Sequence, residues 1–465
     1  MRKRTLPLLL SLALSACAVG PDYSRPKFDL PASTTTQQAS VASDWWQQFN
    51  DPVLDQLISE ALQHNQDLAL SAAQVDEAAA LAGIARAQLL PSLAANAGYQ
   101  RARTSAETTT AGSPLIADVR TANLTASWEL DLWGKLRRSS EAARATLAAS
   151  QYNRDAARLS LSAQVAQTYF QMRAFDAQLD IAKRTLDSRE SSLQLRQKRF
   201  KGGMTSELDM RQAESEAASA RATIPQLSKS LQQTETALAV LLGRTPRELL
   251  EGKLQRGQAI DLLNVPPSIP ADLSSSLLER RPDLAAAEAQ LIAANARIGV
   301  AKAAYFPSIS LTGALGSQSL SMETLFSGAT RTWSFVGNAT APIFNFGQTG
   351  LNVDAASARQ RQALAQYQKS VQTAFKETQD ALVASSAARE VQEAQTTQLA
   401  ALNRALHLAT LRYDNGYSSY LDVLDAERNT FQAELNLVNA KLDRLNAAIS
   451  LYKAMGGGWE MPSTN

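Results

Sequence analysis

The sequence predicts a mixed α+β chain, mainly α. It consists of two internal repeats, each with long coiled-coil helices and two strands suited to a transmembrane β-barrel, four strands per chain. Three observations carry this reading. The segment "RFKGGMTSELDMRQAE" (199–214) returns as "RYDNGYSSYLDVLDAE" (412–427), with seven of sixteen positions identical. No Gly or Pro occurs between Gly134 and Gly202, or between Gly350 and Gly416; an unbroken helix of that length runs about 100 Å, more than a compact domain accommodates. Segments of roughly ten residues alternate apolar and polar, which suits a barrel wall with lipid outside and water inside.

The chain opens MRKRTLPLLLSLALSACAVG. This is a basic start, a short apolar run and LSAC ending at Cys17, the pattern of a bacterial lipoprotein signal cleaved before the cysteine. Ala18 stands where an inner-membrane retention signal would place Asp, so the outer membrane is the expected destination. The run from Leu6 to Ala16 is too short to span a bilayer, and no later stretch reads as a transmembrane helix. Cys17 is the only cysteine; once it carries lipid, no thiol remains for disulfides, metals or catalysis. The 46 basic and 44 acidic residues nearly cancel, which excludes the basic footprint of a nucleic-acid binder.

The repeat extends well beyond the opening pair. At an offset of 213, Trp133-Gly134 matches Phe346-Gly347, Gly203 matches Gly416, and Leu242-Gly243 matches Met455-Gly456. Upstream the offset is 216, where Asp67-Leu68 matches Asp283-Leu284 and "GIARAQLLPSL" (83–93) matches "GVAKAAYFPSI" (299–309). A loop differing by three residues is therefore expected between Pro91 and Trp133. The divisions are a signal at 1–16, an anchored N-terminal segment at 17–66, repeat 1 at 67–243, a linker at 244–282, repeat 2 at 283–456 and a tail at 457–465. Each repeat reads as helix, two strands, very long helix, tight turn and return helix.

Val165, Met172, Leu179, Leu186, Leu193 and Phe200 recur every seventh residue. In the last helix Leu421, Leu424, Arg428, Phe431, Leu435, Val438, Leu442, Leu445, Ile449 and Tyr452 keep a 3-4 spacing. Such a period makes neighbouring helices supercoil. Each repeated turn is then the tip of an antiparallel hairpin, with Gly203 and Gly416 permitting the reversal. Pro225, which faces Val438 in the alignment, is expected to kink or break its helix.

In "NLTASWELDLW", Leu124, Ala126, Trp128, Leu130 and Leu132 share one face; in "WSFVGNATAPI", Trp333, Phe335, Ala339, Ala341 and Ile343 do. Their partners are expected at 92–103 and 308–317, and Trp128 and Trp333 are candidate membrane-interface aromatics. Four strands cannot close a barrel, and open edges cannot face lipid. Two chains give eight strands and a filled interior, whereas three give twelve and room for water.

Catalysis has no support: His64 and His407 are not repeat mates, and no metalloprotease, nucleophile-elbow or phosphate-loop motif is present. No cofactor and no metal are expected beyond the lipid on Cys17. A non-conducting periplasmic scaffold would explain Cys17, the heptads and the tips, but has no need of four alternating strands.

Taken together, "CAVGPDY" (17–23), "DWWQQFNDPVLDQLI" (44–58), "WELDLWGKLR" (128–137), "LLERRPDLAAAEAQL" (277–291), "YFPSISL" (305–311), "YLDVLDAER" (420–428) and "LYKAMGGGW" (451–459) resemble the TolC-like outer membrane factors, particularly the lipoprotein branch serving multidrug efflux pumps. The resemblance spans the mature chain. It implies a homotrimer with a twelve-stranded barrel in outer-membrane lipid and a twelve-helix periplasmic tunnel. It also implies an inner-membrane transporter of the RND type, joined through a periplasmic adaptor, and a passive duct for drugs or other small solutes; the alternative is the same duct used for protein or metal-ion export. Residues 32–66 and 244–282 would form an equatorial band. The tips would close the duct and dock the adaptor at Lys201 to Thr205, including Gly203 and Met204, and at Asn415 to Ser419, including Gly416, Tyr417 and Ser418.

Asp422 and Asp425 lie three apart on one helical face, and threefold symmetry would make of them a cation-attracting ring. As first-turn acids they would also complement the helix dipole. Arg428 interrupts an apolar seam and needs an acid, either Asp425 or one on a neighbouring hairpin. Arg428 and a Tyr413–Asp209 pair are the expected latch. Ser418 occupies a position where some relatives carry a gate arginine.

Overall fold

The computed structural model describes residues 18–29, 43–108, 116–263, 265–266 and 280–459. Cys17, and with it the expected lipid attachment, lies outside the described residues. The main elements are α1 (Pro52–His64), α2 (Gln66–Ala87), β1 (Ser92–Arg103), β2 (Ile116–Leu130), α3 (Lys135–Lys201), α4 (Glu207–Leu241), α5 (Pro246–Glu251), α6 (Pro282–Ala303), β3 (Ser308–Ser319), β4 (Arg331–Thr340), α7 (Gln348–Asp414) and α8 (Tyr420–Ala454).

The repeat holds at the level of elements. α3 and α7 each have 67 residues, and α4 and α8 each have 35, all displaced by 213. α2 and α6 have 22 residues each and, like β1 and β3, are displaced by 216. The three extra residues of repeat 1 therefore lie after Arg103 and before Ile116, in the loop between β1 and β2.

Compact units do not follow the repeats, because each takes segments of both. One collects Met1–Lys27, Gln74–Gln151 and Ala286–Gln368. It holds the sheet, antiparallel throughout in the order β1-β2-β3-β4. The register pairs Leu124 with Ala95 and Leu315, Trp128 with Leu311, and Leu315 with Trp333. Since side chains alternate across a strand, one face carries Leu93, Ala126, Leu130, Ile309, Phe335 and Ala339. The other carries Asn96, Thr121, Asn123, Thr125, Ser310, Thr312 and Asn338. That is the sidedness of a wall between hydrocarbon and water.

In the same unit residues 18–27 are strapped down. Val19 N–H donates to Trp133 O, Asp22 accepts from Arg138 at 2.6 Å, and Glu288 accepts from Tyr23 at 2.9 Å and from Arg25 Nε at 2.8 Å.

The other unit comprises Phe28–Ala73, Tyr152–Ala285 and Lys369–Asn465. Its hydrophobic core gathers Trp45, Phe49, Leu54 and Ile58 with Tyr169, Phe170 and Met172 of α3, Leu238 of α4, and Leu445, Ile449 and Tyr452 of α8. Trp45 stacks on Tyr452 with ring centroids 5.5 Å apart. The buried Asp51 carboxylate caps α1 through Val53 N–H and also accepts from Tyr169 Oη at 2.6 Å and Gln258 N at 3.3 Å, which ties the linker to α3.

One expectation is narrowed and one corrected. α4 runs through Pro225 without a break; the proline is exposed, so the carbonyl it leaves unpaired can face water. α2 is, by length and composition, long and apolar enough to cross a membrane, with a mean hydropathy of 1.3 over its best window. Alanine raises that mean, and the helix has an equal-length repeat mate, α6, whose Leu284, Leu291 and Ile298 are buried within the protein.

Candidate functional site at the helical turns

Both long hairpins reverse by the same device. At the first turn Gly203 N–H donates to Phe200 O and Met204 N–H to Arg199 O; at the second, Gly416 donates to Tyr413 O and Tyr417 to Arg412 O. Gly203 and Gly416 have φ of 72° and 78°, so each turn is a Schellman ending with glycine in the left-handed region. Ser206 then caps α4 by accepting from Asp209 N–H at 3.2 Å, and Ser419 N–H donates to the Asp422 carboxylate at 3.2 Å at the head of α8.

Between the hairpins lies a charged cluster. Glu216 of α4, only 9% exposed, accepts from Arg189 of α3 at 3.1 Å and from Arg428 Nε of α8 at 2.7 Å. One carboxylate therefore joins its own hairpin to the other. Nearer the turns, the buried Arg196 donates to Tyr413 Oη at 2.6 Å and lies over the rings of Tyr413 and Tyr420, at 4.5 and 4.0 Å from their centroids. Burial raises the carboxyl of Glu427 above the ordinary glutamate range, with Glu216 adding to the shift and Arg189 and Arg196 opposing it.

The predicted site residues fall into four groups. Arg428 finds its acid on a neighbouring hairpin, at Glu216, while Asp425 contributes field alone. Within the protomer Tyr413 and Asp209 have separate partners, Tyr413 taking Arg196 and Asp209 accepting from Thr205 Oγ1 at 2.7 Å. Lys201, Gly203, Met204, Gly416, Tyr417, Asp422 and Asp425 are exposed, and the Ser418 hydroxyl is enclosed without a hydrogen-bond partner among the described residues. On the sheet, Trp128 and Trp333 share the apolar face, but their levels are only four residues apart along β3, at Leu311 and Leu315. The exposed rings of Tyr305, Phe344 and Phe346 lie beyond the strand ends attached to the helices.

Sequence reasoning missed Arg189, Arg196, Glu216 and Tyr420. A signal was present, for Arg189 and Arg196 are seven apart and three residues beyond Leu186 and Leu193, which puts them on the second seam position of the same heptad. Arginine on a helix ordinarily faces water, so this spacing alone does not single them out. Phe200, placed on the apolar seam, is instead exposed in the protomer.

A strand quartet with one lipid-compatible face, in a chain that also forms paired long helical hairpins bridged by a charged cluster, defines a membrane channel protein with an α-helical extension. The model of the outer membrane efflux protein family matches residues 57–244 and 273–457, and the chain belongs to that family. It is 36% identical to the solvent efflux pump outer membrane protein SrpC of Pseudomonas putida, with 99% of each chain covered. It is 35% identical to the cation efflux system protein CusC of Escherichia coli O157:H7, covering 98% of this chain and 99% of that one. Among solved structures, the CmeC outer membrane channel of Campylobacter jejuni superposes with a TM-score of 0.92 at 30% identity, over 96% of both chains. The protein is thus an outer-membrane efflux channel, placed in the outer membrane and extending into the periplasm, and not an enzyme.

Proposed function

We propose that three copies of this chain form the exit duct of a tripartite pump, gated where the two hairpins of each protomer meet. The observation that carries the gate is Glu216, held at once by Arg189 of its own hairpin and Arg428 of the other. Moving the second hairpin outward breaks that bond and withdraws Tyr413 and Tyr420 from Arg196. In the trimer, Asp422 and Asp425 form the exposed acidic ring at the mouth.

Self-association is supported by surfaces left open in one chain. Among the described residues β1 and β4 each pair on one edge only, and lipid does not tolerate open edges. Leu70, Leu81 and Ile84 of α2 and Leu351 and Val383 of α7 are more than half exposed. The tips carry repeat-matched apolar knobs, Met204 with Tyr417 and Leu208 with Leu421, all exposed, which suit the helical hairpins of a periplasmic adaptor. The adaptor in turn connects to an inner-membrane transporter. Cargo is set by that transporter: relatives named for solvents and for cations are almost equally similar to this chain, at 36% and 35% identity. The N-terminus is anchored by lipid on Cys17.

The test is planar-bilayer conductance of the purified assembly. Wild type should show small conductance, Arg428→Ala and Glu216→Gln should raise it, and Asp422→Ala/Asp425→Ala should lose cation preference without opening the pore. Absence of current from all forms in a correctly inserted assembly would sink the duct; equal currents from all of them would sink the gate.

A further inference from the structure

The lipid-compatible face of the sheet is not apolar to its end. By register and parity its charged residues are Arg101 and Arg103 of β1, Asp118 and Arg120 of β2, and Arg331 of β4. All five lie at the end remote from α2, α3, α6 and α7, which is the external end of a channel whose helices extend into the periplasm. Four cations against one anion leave a surplus of three.

The rows below them contain no charge. Ala95, Leu124, Leu315 and Trp333 form the next, followed by Leu93, Ala126, Gly313 and Phe335, then Trp128, Leu311 and Gly337, then Leu130, Ile309 and Ala339. The boundary between hydrocarbon and headgroup therefore falls between Arg331 and Trp333, which is 80% exposed. A lipid-facing arginine is costly at mid-bilayer and far less so at the interface.

Two of the cations are already occupied. Asp118 accepts from Tyr99 Oη at 2.8 Å and faces Arg101 Nε at 3.7 Å; Arg120 donates to Leu320 O at 2.7 Å and lies over the Tyr99 ring. The side chains of Arg103 and Arg331 make no hydrogen bond or ion pair among the described residues, and both are exposed. The opposite end of the same face is uncharged, so a general attraction to anionic lipid would leave this one-sidedness unexplained. The outer leaflet of this membrane is built from phosphorylated glycolipid, and a guanidinium matches phosphate in a two-pronged geometry.

We propose that Arg103 and Arg331, with Arg101 and Arg120 behind them, bind the phosphate groups of outer-leaflet lipid A at the rim of the barrel. The proposal rests on the outer-membrane placement and is independent of the gate.

The test is native mass spectrometry of the full-length assembly titrated with bisphosphorylated lipid A, fully dephosphorylated lipid A, or phosphatidylglycerol. Wild type should retain the bisphosphorylated form in preference to the other two. Arg103→Gln/Arg331→Gln, which removes no side-chain hydrogen bond or ion pair among the described residues, should weaken that retention by about thirtyfold. Arg247→Gln/Lys253→Gln, two exposed cations outside the sheet, should leave it unchanged. Equal retention of phosphorylated and dephosphorylated lipid A, equal retention of phosphatidylglycerol, or a double variant indistinguishable from wild type would each overturn the proposal.

Discussion

Among the described residues, the Glu427 carboxylate of the tip cluster has no hydrogen-bonded cation. Its raised pKa, caused first by burial, means that the packed hairpins favour the protonated acid. The sign follows: this preference is fully present below the ordinary glutamate range and is lost as pH rises through the raised value. Glu427→Gln should therefore slow amide exchange at 201–206 and 414–419 relative to wild type at neutral pH, and the difference should vanish in acid; hydrogen-exchange mass spectrometry at both pH values measures it. A wild type and variant that differ equally at both would show that solvation of this carboxylate does not act on the tips. The need of Arg428 for an acid was legible because arginine interrupted an apolar series. Arg189 and Arg196 were not, because the leucines beside them already accounted for the period.

At the scale of elements, repeat mates share geometry while their chemistry diverges. Asn65 donates to Leu241 O at the end of α4, and its repeat mate Arg281 donates to Ala454 O at the end of α8. The glycines that follow explain the close approach: a Cβ on Gly243 would lie 2.1 Å from His64 O, and one on Gly456 1.8 Å from Arg280 O. Gly203 and Gly416 have the same handedness but open space around them. Gly416→Ala should consequently cost about 1–2 kcal/mol, the backbone term alone, whereas Gly456→Ala must displace main chain and should cost more. Thermal midpoints of the two purified variants compare them directly, and equal losses would mean that the joint at Arg280 yields easily. Gly203 and Gly416 stood out because each sits in a duplicated turn. The contrast with Gly456 was illegible, since sequence shows no backbone from the far side of a joint.

The whole molecule was largely readable from the repeat and the two periods, heptad and alternate, which fixed the order of elements, the long helices and the three-residue loop difference. What could not be read was where partners cross between hairpins, because those contacts pair residues hundreds of positions apart and the two repeats do not supply them symmetrically: Glu216 corresponds to Asn429, and Arg428 to Ser215. One residue inserted in α3 after Ala182 turns everything beyond it by about 100° and takes Arg189 and Arg196 off their seam. Such a variant should fail to reach the membrane, while three residues added between Ser319 and Gly328 should be tolerated; quantifying folded protein in outer-membrane fractions distinguishes them, and equal yields would contradict the argument. The identical lengths of α3 and α7, and of α4 and α8, carry this further. Descent can lengthen or shorten these helices only by editing all four together, in whole heptads, while the external loops drift one residue at a time. The surface that a phage or an antibody meets is thus free to vary, and the inner dimensions are inherited as a set.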